Sequence, residues 1–199
     1  MSNAFLQSIK NRRSIYAIGN TLPIAEDRVV SLITETVRHT PSSFNSQSSR
    51  VVILFGEQHQ KLWDIVERQL QKIVPEAAFA STAKKIASFA AGAGTVLLFE
   101  DTRVIEELQQ KFALYAENFP VWSEHSTAIT QFAVWSALAQ ENIGASLQHY
   151  NPLIDDDVKK QWQLPESWKL RAQLPFGSIE QPAGEKSYIP DEERFRIFK

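Results

Sequence analysis

Two continuous apolar runs of strand length, VVILF at 51–55 and TVLLF at 95–99, constrain this chain more than any other feature. A strand whose residues do not alternate between apolar and polar is buried on both faces. Both runs therefore read as buried strands, the first of them central in its sheet. Gly56 ends the first, and the turn AGAG at 91–94 leads into the second. Between them, helical patterns over residues 58–73 and 76–90 are split by Pro75, which cannot continue a helix interior.

The rest of the chain alternates in the same way. Phe5, Leu6 and Ile9 suggest a short helix ending near Asn11. Over residues 25–39, Val29, Val30, Ile33 and Val37 recur at steps of three and four, with Glu26 and Asp27 at the positive helix end. A further helix is expected over 103–117. The most apolar one, over 121–141, sets Ile129, Phe132, Ala133 and Ala137 on one face and Val134, Trp135 and Leu138 on another. Apolar residues on two faces imply burial from several sides, hence a central helix or a subunit interface. Residues 145–149 read as a third strand and 169–176 as a fourth, with Asp155, Asp156 and Asp157 opening a short helix between them. The tail from 177 to 199 is rich in proline and charge yet ends in FRIF, and is expected to dock on something. No repeat or linker interrupts the pattern, so residues 1–199 read as one α+β domain.

Several chemistries are excluded. The absence of cysteine removes disulfides, thiolate catalysis and sulfur-ligated metals. His39, His59, His125 and His149 lack the close spacing of metal ligands, so no metal site is expected. A net charge of -2 with scattered basic residues argues against nucleic acid. No run suits a membrane span or a secretory signal, so a cytoplasmic protein is expected. There is no nucleophile-elbow or phosphate-loop motif. Gly92 and Gly94 precede a strand rather than follow one, the wrong order for a dinucleotide fingerprint.

Four polar stretches remain. Arg12, Arg13 and Ser14 suit a phosphate or the oxygens of a polar ligand, and equally a solvated basic helix end. Pro41, Ser42, Ser43, Phe44, Asn45 and Gln47 belong to a long, glycine-free connector whose hydroxyls and carboxamides match the edge of a heterocycle, or simply face water. Gln148, His149 and Tyr150 repeat the theme at a strand end. Lys186 and Ser187 add an ammonium and a hydroxyl far along the chain, on what also reads as a charged surface turn.

Taken in order, RRS at 12–14, PSSFNSQSSR at 41–50, LYAENFPVWSE at 114–124, NIGASLQHYNPLID at 142–155 and RAQLPFGSIEQPAGEK at 171–186 resemble the nitroreductase-like flavoprotein family, in its compact branch related to the yeast fatty-acid-repression-mutant protein. The resemblance implies a nitroreductase-like α+β fold with a mostly antiparallel central sheet flanked by helices. It also implies a homodimer with FMN at two sites in the subunit interface. By this analogy Arg12, Arg13, Ser14, Lys186 and Ser187 hold the phosphate and ribityl chain. Residues 41–47 reach the flavin, partly from the partner subunit, and Gln148, His149 and Tyr150 lie along the isoalloxazine ring.

The chain departs from larger relatives in three respects. It has Gln148-His149-Tyr150 where many carry proline-isoleucine-glutamate-glycine, Tyr188 where an arginine often helps hold phosphate, and no room for a substrate-covering insertion.

Flavin carries the redox chemistry itself, which suits a chain without a catalytic triad. The expected activity is ping-pong reduction of nitroaromatic or quinone-like acceptors by NAD(P)H. Phe44, Tyr115, Phe119 and Trp122 are candidates for stacking on a flat acceptor, with ordinary packing as the alternative. Two rivals stand beside this reading. One is a flavin-binding stress-response or lipid-signalling regulator with incidental reductase activity. The other is a dimeric interaction module that has kept the fold without cofactor.

Overall fold

The computed structural model describes residues 3–199. In chain order the elements are α1 (Ala4–Asn11), β1 (Ile18–Gly19), α2 (Glu26–His39), β2 (Ser49–Phe55), α3 (Gly56–Gln71), α4 (Glu76–Ala90), β3 (Gly94–Asp101), α5 (Thr102–Lys111), α6 (Phe119–Gln140), β4 (Gly144–Ala145), α7 (Asp155–Trp162), β5 (Trp168–Ile179) and α8 (Asp191–Arg194). Single 3-10 turns occupy Ser43–Asn45 and Ala113–Tyr115.

The sheet runs β1-β5-β3-β2, with β4 also on β5, and its strand pairings are antiparallel. Every residue of β3 is buried, because strands flank it on both edges and helices cover both faces. Against one face pack α2 and α6, through Val29, Ile33, Val134 and Leu138 on Val96, Leu98, Leu174 and Phe176. Against the other pack α3, α4 and α7, through Leu62, Trp63, Phe89 and Val158 on Leu54, Leu97, Phe99 and Leu170. The apolar run at 51–55 is therefore not central. It forms the edge strand β2, half-buried over most of its length. Its continuous apolarity reflects two covered faces and carries no information about whether an edge is paired.

The third expected strand shortens to Gly144–Ala145 plus an isolated bridge between Gln148 and Gln173, while the fourth lengthens to residues 168–179. Helix α5 stops at Lys111, where Phe112 leaves helical geometry. The aspartates at 155–157 do form an acidic first turn, but Ile154 occupies the cap position without a side-chain hydrogen bond. Gly56 joins β2 to α3 with no loop, at φ +50°, a conformation that only glycine reaches without strain.

His59 on α3 is a core histidine. Its Nδ1 lies 2.8 Å from Thr95 Oγ1 and its Nε2 lies 3.1 Å from the Ala90 carbonyl, which can only accept, so Nε2 carries the proton. Burial lowers its pKa below the ordinary value despite nearby backbone carbonyls. Between the folded value and about 6.5 the unfolded chain binds more protons, so stability is full above that range and is lost as pH falls through it. We expect the urea midpoint to fall from pH 7 to pH 5 while the His59 ring, followed by NMR, titrates below about 6.5. A ring titrating at the ordinary value would contradict this.

Candidate active site

A cationic cleft forms where residues 12–15 run beside β4. Ser14 bridges Ala145, and the Ile15 N–H donates to the Ala145 carbonyl at 2.9 Å. That carbonyl also accepts from Trp135 Nε1 at 3.1 Å. The Arg12 guanidinium lies 4.2 Å from the centroid of the Trp135 ring, a cation over a π face. Burial chiefly, and Arg13 second, lower the Arg12 pKa, yet a guanidinium remains charged. Arg13 Nη2 donates to the Gly184 carbonyl at 2.6 Å.

Together with Ser14, Tyr16 and Lys186, these groups enclose about 450 Å³. No ion pair among the described residues includes Arg12, Arg13 or Lys186. Three cations thus meet without a carboxylate, an arrangement suited to a phosphate. Ser187 is exposed and lies outside the cleft lining.

The 41–47 connector is an ordered loop. Phe44, Asn45 and Gln47 take φ of 56°, 50° and 48°, the left-handed region that costs a non-glycine residue roughly 1–2 kcal/mol. Ser42 Oγ accepts from the Gln47 N–H at 2.9 Å, and the Ser43 N–H points to Ser126 Oγ on α6 at 3.4 Å. The Asn45 and Gln47 side chains are exposed. Pro41, Ser42 and Gln47 border a small hollow of about 180 Å³ with Thr130.

Phe44 is the centre of an aromatic group. Its ring stacks on Trp122 at 5.9 Å and 18°, meets Phe119 edge-on at 5.2 Å, and lies 6.1 Å from Tyr115 and 5.0 Å from Phe112. The four residues expected to contact an acceptor are thus one cluster, to which the structure adds Phe112. Phe119 corrects that expectation in part: it is 1% exposed and supports the group from beneath, whereas Phe44 is 51% exposed.

The stretch 148–150 divides. Gln148 is buried, exchanges backbone hydrogen bonds with Gln173 at 2.7 and 2.9 Å, and donates Nε2 to Ser146 Oγ at 3.1 Å. His149 is exposed. Tyr150 turns to the opposite face of the sheet, its ring 6.0 Å from that of Trp63, and burial pushes its hydroxyl up to about 12. Its side chain packs in the core with Trp63, on the side of the sheet away from α2 and α6. Sequence reasoning also missed Trp135 as the platform for Arg12, because an apolar helix pattern registers its burial and not its N–H or its π face.

Within one chain the pieces do not converge. The loop meets α6 at Ser126 and Thr130, while Arg13 shares a hollow with Ala139 on the same helix. Thr130 and Ala139 lie about 14 Å apart along the helix axis, at 1.5 Å per residue. Along this stretch of α6, Ile129, Phe132, Ala133 and Ala137 border an open apolar concavity of about 450 Å³ with Phe5 and Pro41.

This arrangement has relatives. A model of the nitroreductase family matches residues 9–178. The chain belongs to the nitroreductase family. Two Saccharomyces cerevisiae proteins are similar over most of their length: HBN1, 36% identical over 190 residues and 94% of each chain, and the nitroreductase FRM2, 33% identical over 188 residues and 93% of each. FRM2 fits the compact branch that the motifs suggested. Nitroreductase CinD from Lactococcus lactis, solved in complex with chloramphenicol, superposes with a TM-score of 0.91 at 51% identity, covering 98% of this chain and 100% of its own. Its complex with 4-nitrophenol gives 0.90 at 50%, with the same coverage. A more distant chain from Desulfovibrio desulfuricans, solved in complex with FMN, shares the fold alone, at 19% identity and a TM-score of 0.72 over 100% of this chain and 99% of its own. Membership in the nitroreductase family carries an oxidoreductase role, and the antiparallel sheet between helical layers is that family's fold.

Proposed function

We propose that this nitroreductase-family chain is an FMN-dependent, cytoplasmic oxidoreductase that uses NAD(P)H to reduce nitroaromatic or quinone-like acceptors. One observation carries the reading: Arg12, Arg13 and Lys186 line a cleft with no acidic partner among the described residues. That donor set fits a dianionic phosphate ester better than a neutral ligand. When bound, FMN supplies the hydride and electron transfer, taking reducing equivalents from NAD(P)H and passing them to the acceptor in ping-pong order.

The protein's own groups supply binding and orientation. Arg12 is held rigid on Trp135, and Arg13 fixes the 184 backbone while keeping donors for an anion. Ser14 adds a hydroxyl to the cleft, while Gln148 bridges Gln173 at the strand end. Pro41, Ser42, Ser43, Asn45 and Gln47 provide hydroxyl, carboxamide and backbone groups from the loop. Phe44, Tyr115 and Trp122 form an aromatic shelf for a flat acceptor. The complexes of CinD with 4-nitrophenol and chloramphenicol support that class of acceptor.

The proposal includes a homodimer. Loop and cationic cleft sit at separated points along the open face of α6, so a two-fold pairing of that face lets one subunit's loop meet its partner's cleft. The tail supports this reading, since Tyr188, Ile189, Phe195, Ile197 and Phe198 are exposed in the single chain.

The deciding experiment is the visible absorption spectrum of the purified protein, with the chromophore released by denaturation and identified by chromatography. A yellow protein that releases FMN and is bleached by NADH or NADPH is the expected result. A colourless protein that takes up no added FMN would overturn the proposal.

A further inference from the structure

Behind the 41–47 loop stands a buried acidic pair that the flavin reading does not use. Glu100 and Asp101, the last residues of β3, are 3% and 1% exposed. Glu100 accepts from Ser48 Oγ at 2.5 Å, from Ser49 Oγ at 2.7 Å and from Thr127 Oγ1 on α6. Asp101 accepts from Arg50 Nη2 at 3.1 Å, and the other arm of that guanidinium, Nη1, donates to the Gln47 carbonyl at 2.6 Å. The Asp101 N–H returns to the Ser48 carbonyl at 3.0 Å.

The loop needs such tethers. Its three left-handed residues are not glycines, and its internal hydrogen bonds are few: Ser42 and Ser43 accept from the N–H groups of Asn45, Ser46 and Gln47, and the Asn45 carbonyl accepts from Gln47 Nε2 at 3.5 Å. A strained backbone persists only where its surroundings over-determine it. Two adjacent carboxylates are costly to bury, and the cap of α5, where Asp101 Oδ1 accepts from the Arg103 N–H at 3.3 Å, accounts for only one oxygen of one of them. Here each is matched to donors at the loop's C-terminal end, one through hydroxyls and the other through a planar fork.

We propose that Arg50, braced by Asp101, and Glu100 are positioning residues that hold Phe44, Asn45 and Gln47 in the backbone arrangement presenting an aromatic face and two carboxamides to the cofactor site. The inference rests on the flavin reading above for what the loop serves, and on the hydrogen bonds for how it is held. None of the three residues lines the cationic cleft. They act through the Gln47 carbonyl and the Ser48 and Ser49 hydroxyls.

The test is Arg50→Met, which keeps the aliphatic stem and removes the fork, with Arg50→Lys as the milder variant should the first fail to fold. Hydrogen exchange on cofactor-free protein should show the amides of residues 45–47 exchanging at least tenfold faster, with β3 and β5 unchanged. The Kd for FMN, read by fluorescence quenching, should rise at least tenfold. The KM for 4-nitrophenol should rise more than kcat falls. Loop exchange and FMN affinity both at the wild-type level would overturn the proposal. So would a uniform increase across the whole sheet, the mark of a merely structural pair. A wild-type protein that binds no FMN would instead sink the flavin reading, while loop exchange still reports on the tether.

Discussion

Arg13→Ala is expected to weaken FMN binding by ten- to a hundredfold. A hydrogen bond to a charged group contributes about 1.5–3 kcal/mol, and no carboxylate among the described residues lies within ion-pair distance of Arg13 to share its charge with an incoming anion. The substitution also frees the Gly184 carbonyl, which Arg13 holds at 2.6 Å, so the strand of tail that closes the cleft loosens as well. Arg13→Lys separates the two contributions. An ammonium keeps the positive charge without the fork that reaches backbone and phosphate together. Titration of apoprotein with FMN, followed by flavin fluorescence, measures both variants. Wild-type affinity in Arg13→Ala would remove this residue from the site.

Ile129→Asp is expected to turn the proposed dimer into monomers and to cost most of the flavin affinity in the same step. Ile129 is 44% exposed in the single chain and borders the apolar concavity of α6 with Phe132, Ala133 and Ala137. Packed against a second copy, an unpaired carboxylate there loses its water, at a cost of several kcal/mol, enough to shift dimerisation by at least about a hundredfold. Sedimentation velocity reads the association state, and FMN titration of the same samples reads the site. A variant that stays dimeric with full FMN affinity would place the subunit interface elsewhere.

The elements with many residues were legible from the chain. Helix α4 spans residues 76–90 as its pattern predicts, and α2 and α6 begin within two residues of expectation, because a sustained 3.6-residue period and a proline boundary are local signals. The two-residue strand β1 leaves no such signal, and β4 keeps only the start of the strand expected over 145–149. They exist because β5 offers an unpaired edge at Phe176–Ile179. The same distinction holds for the site. The arginines, the loop amides and the aromatic group were visible as residue types in order. That Phe119 is a floor rather than a contact, and that Tyr150 faces the opposite layer, depended on which way each element turns.

Taken alone, the sequence determined the class of fold, the cationic, amide and aromatic residues available to a site, and the chemistries ruled out by the absence of cysteine. Burial and period are properties of a short window, so they can be read along the chain. Only the tertiary structure decided that Arg12 rests on Trp135, that Arg50 bridges Asp101 and Gln47, and that Glu100 gathers hydroxyls from β2 and α6. Apart from Arg50 with its neighbour Gln47, those partners lie tens of residues apart. They are matched by strand register and helix packing, which no local pattern encodes.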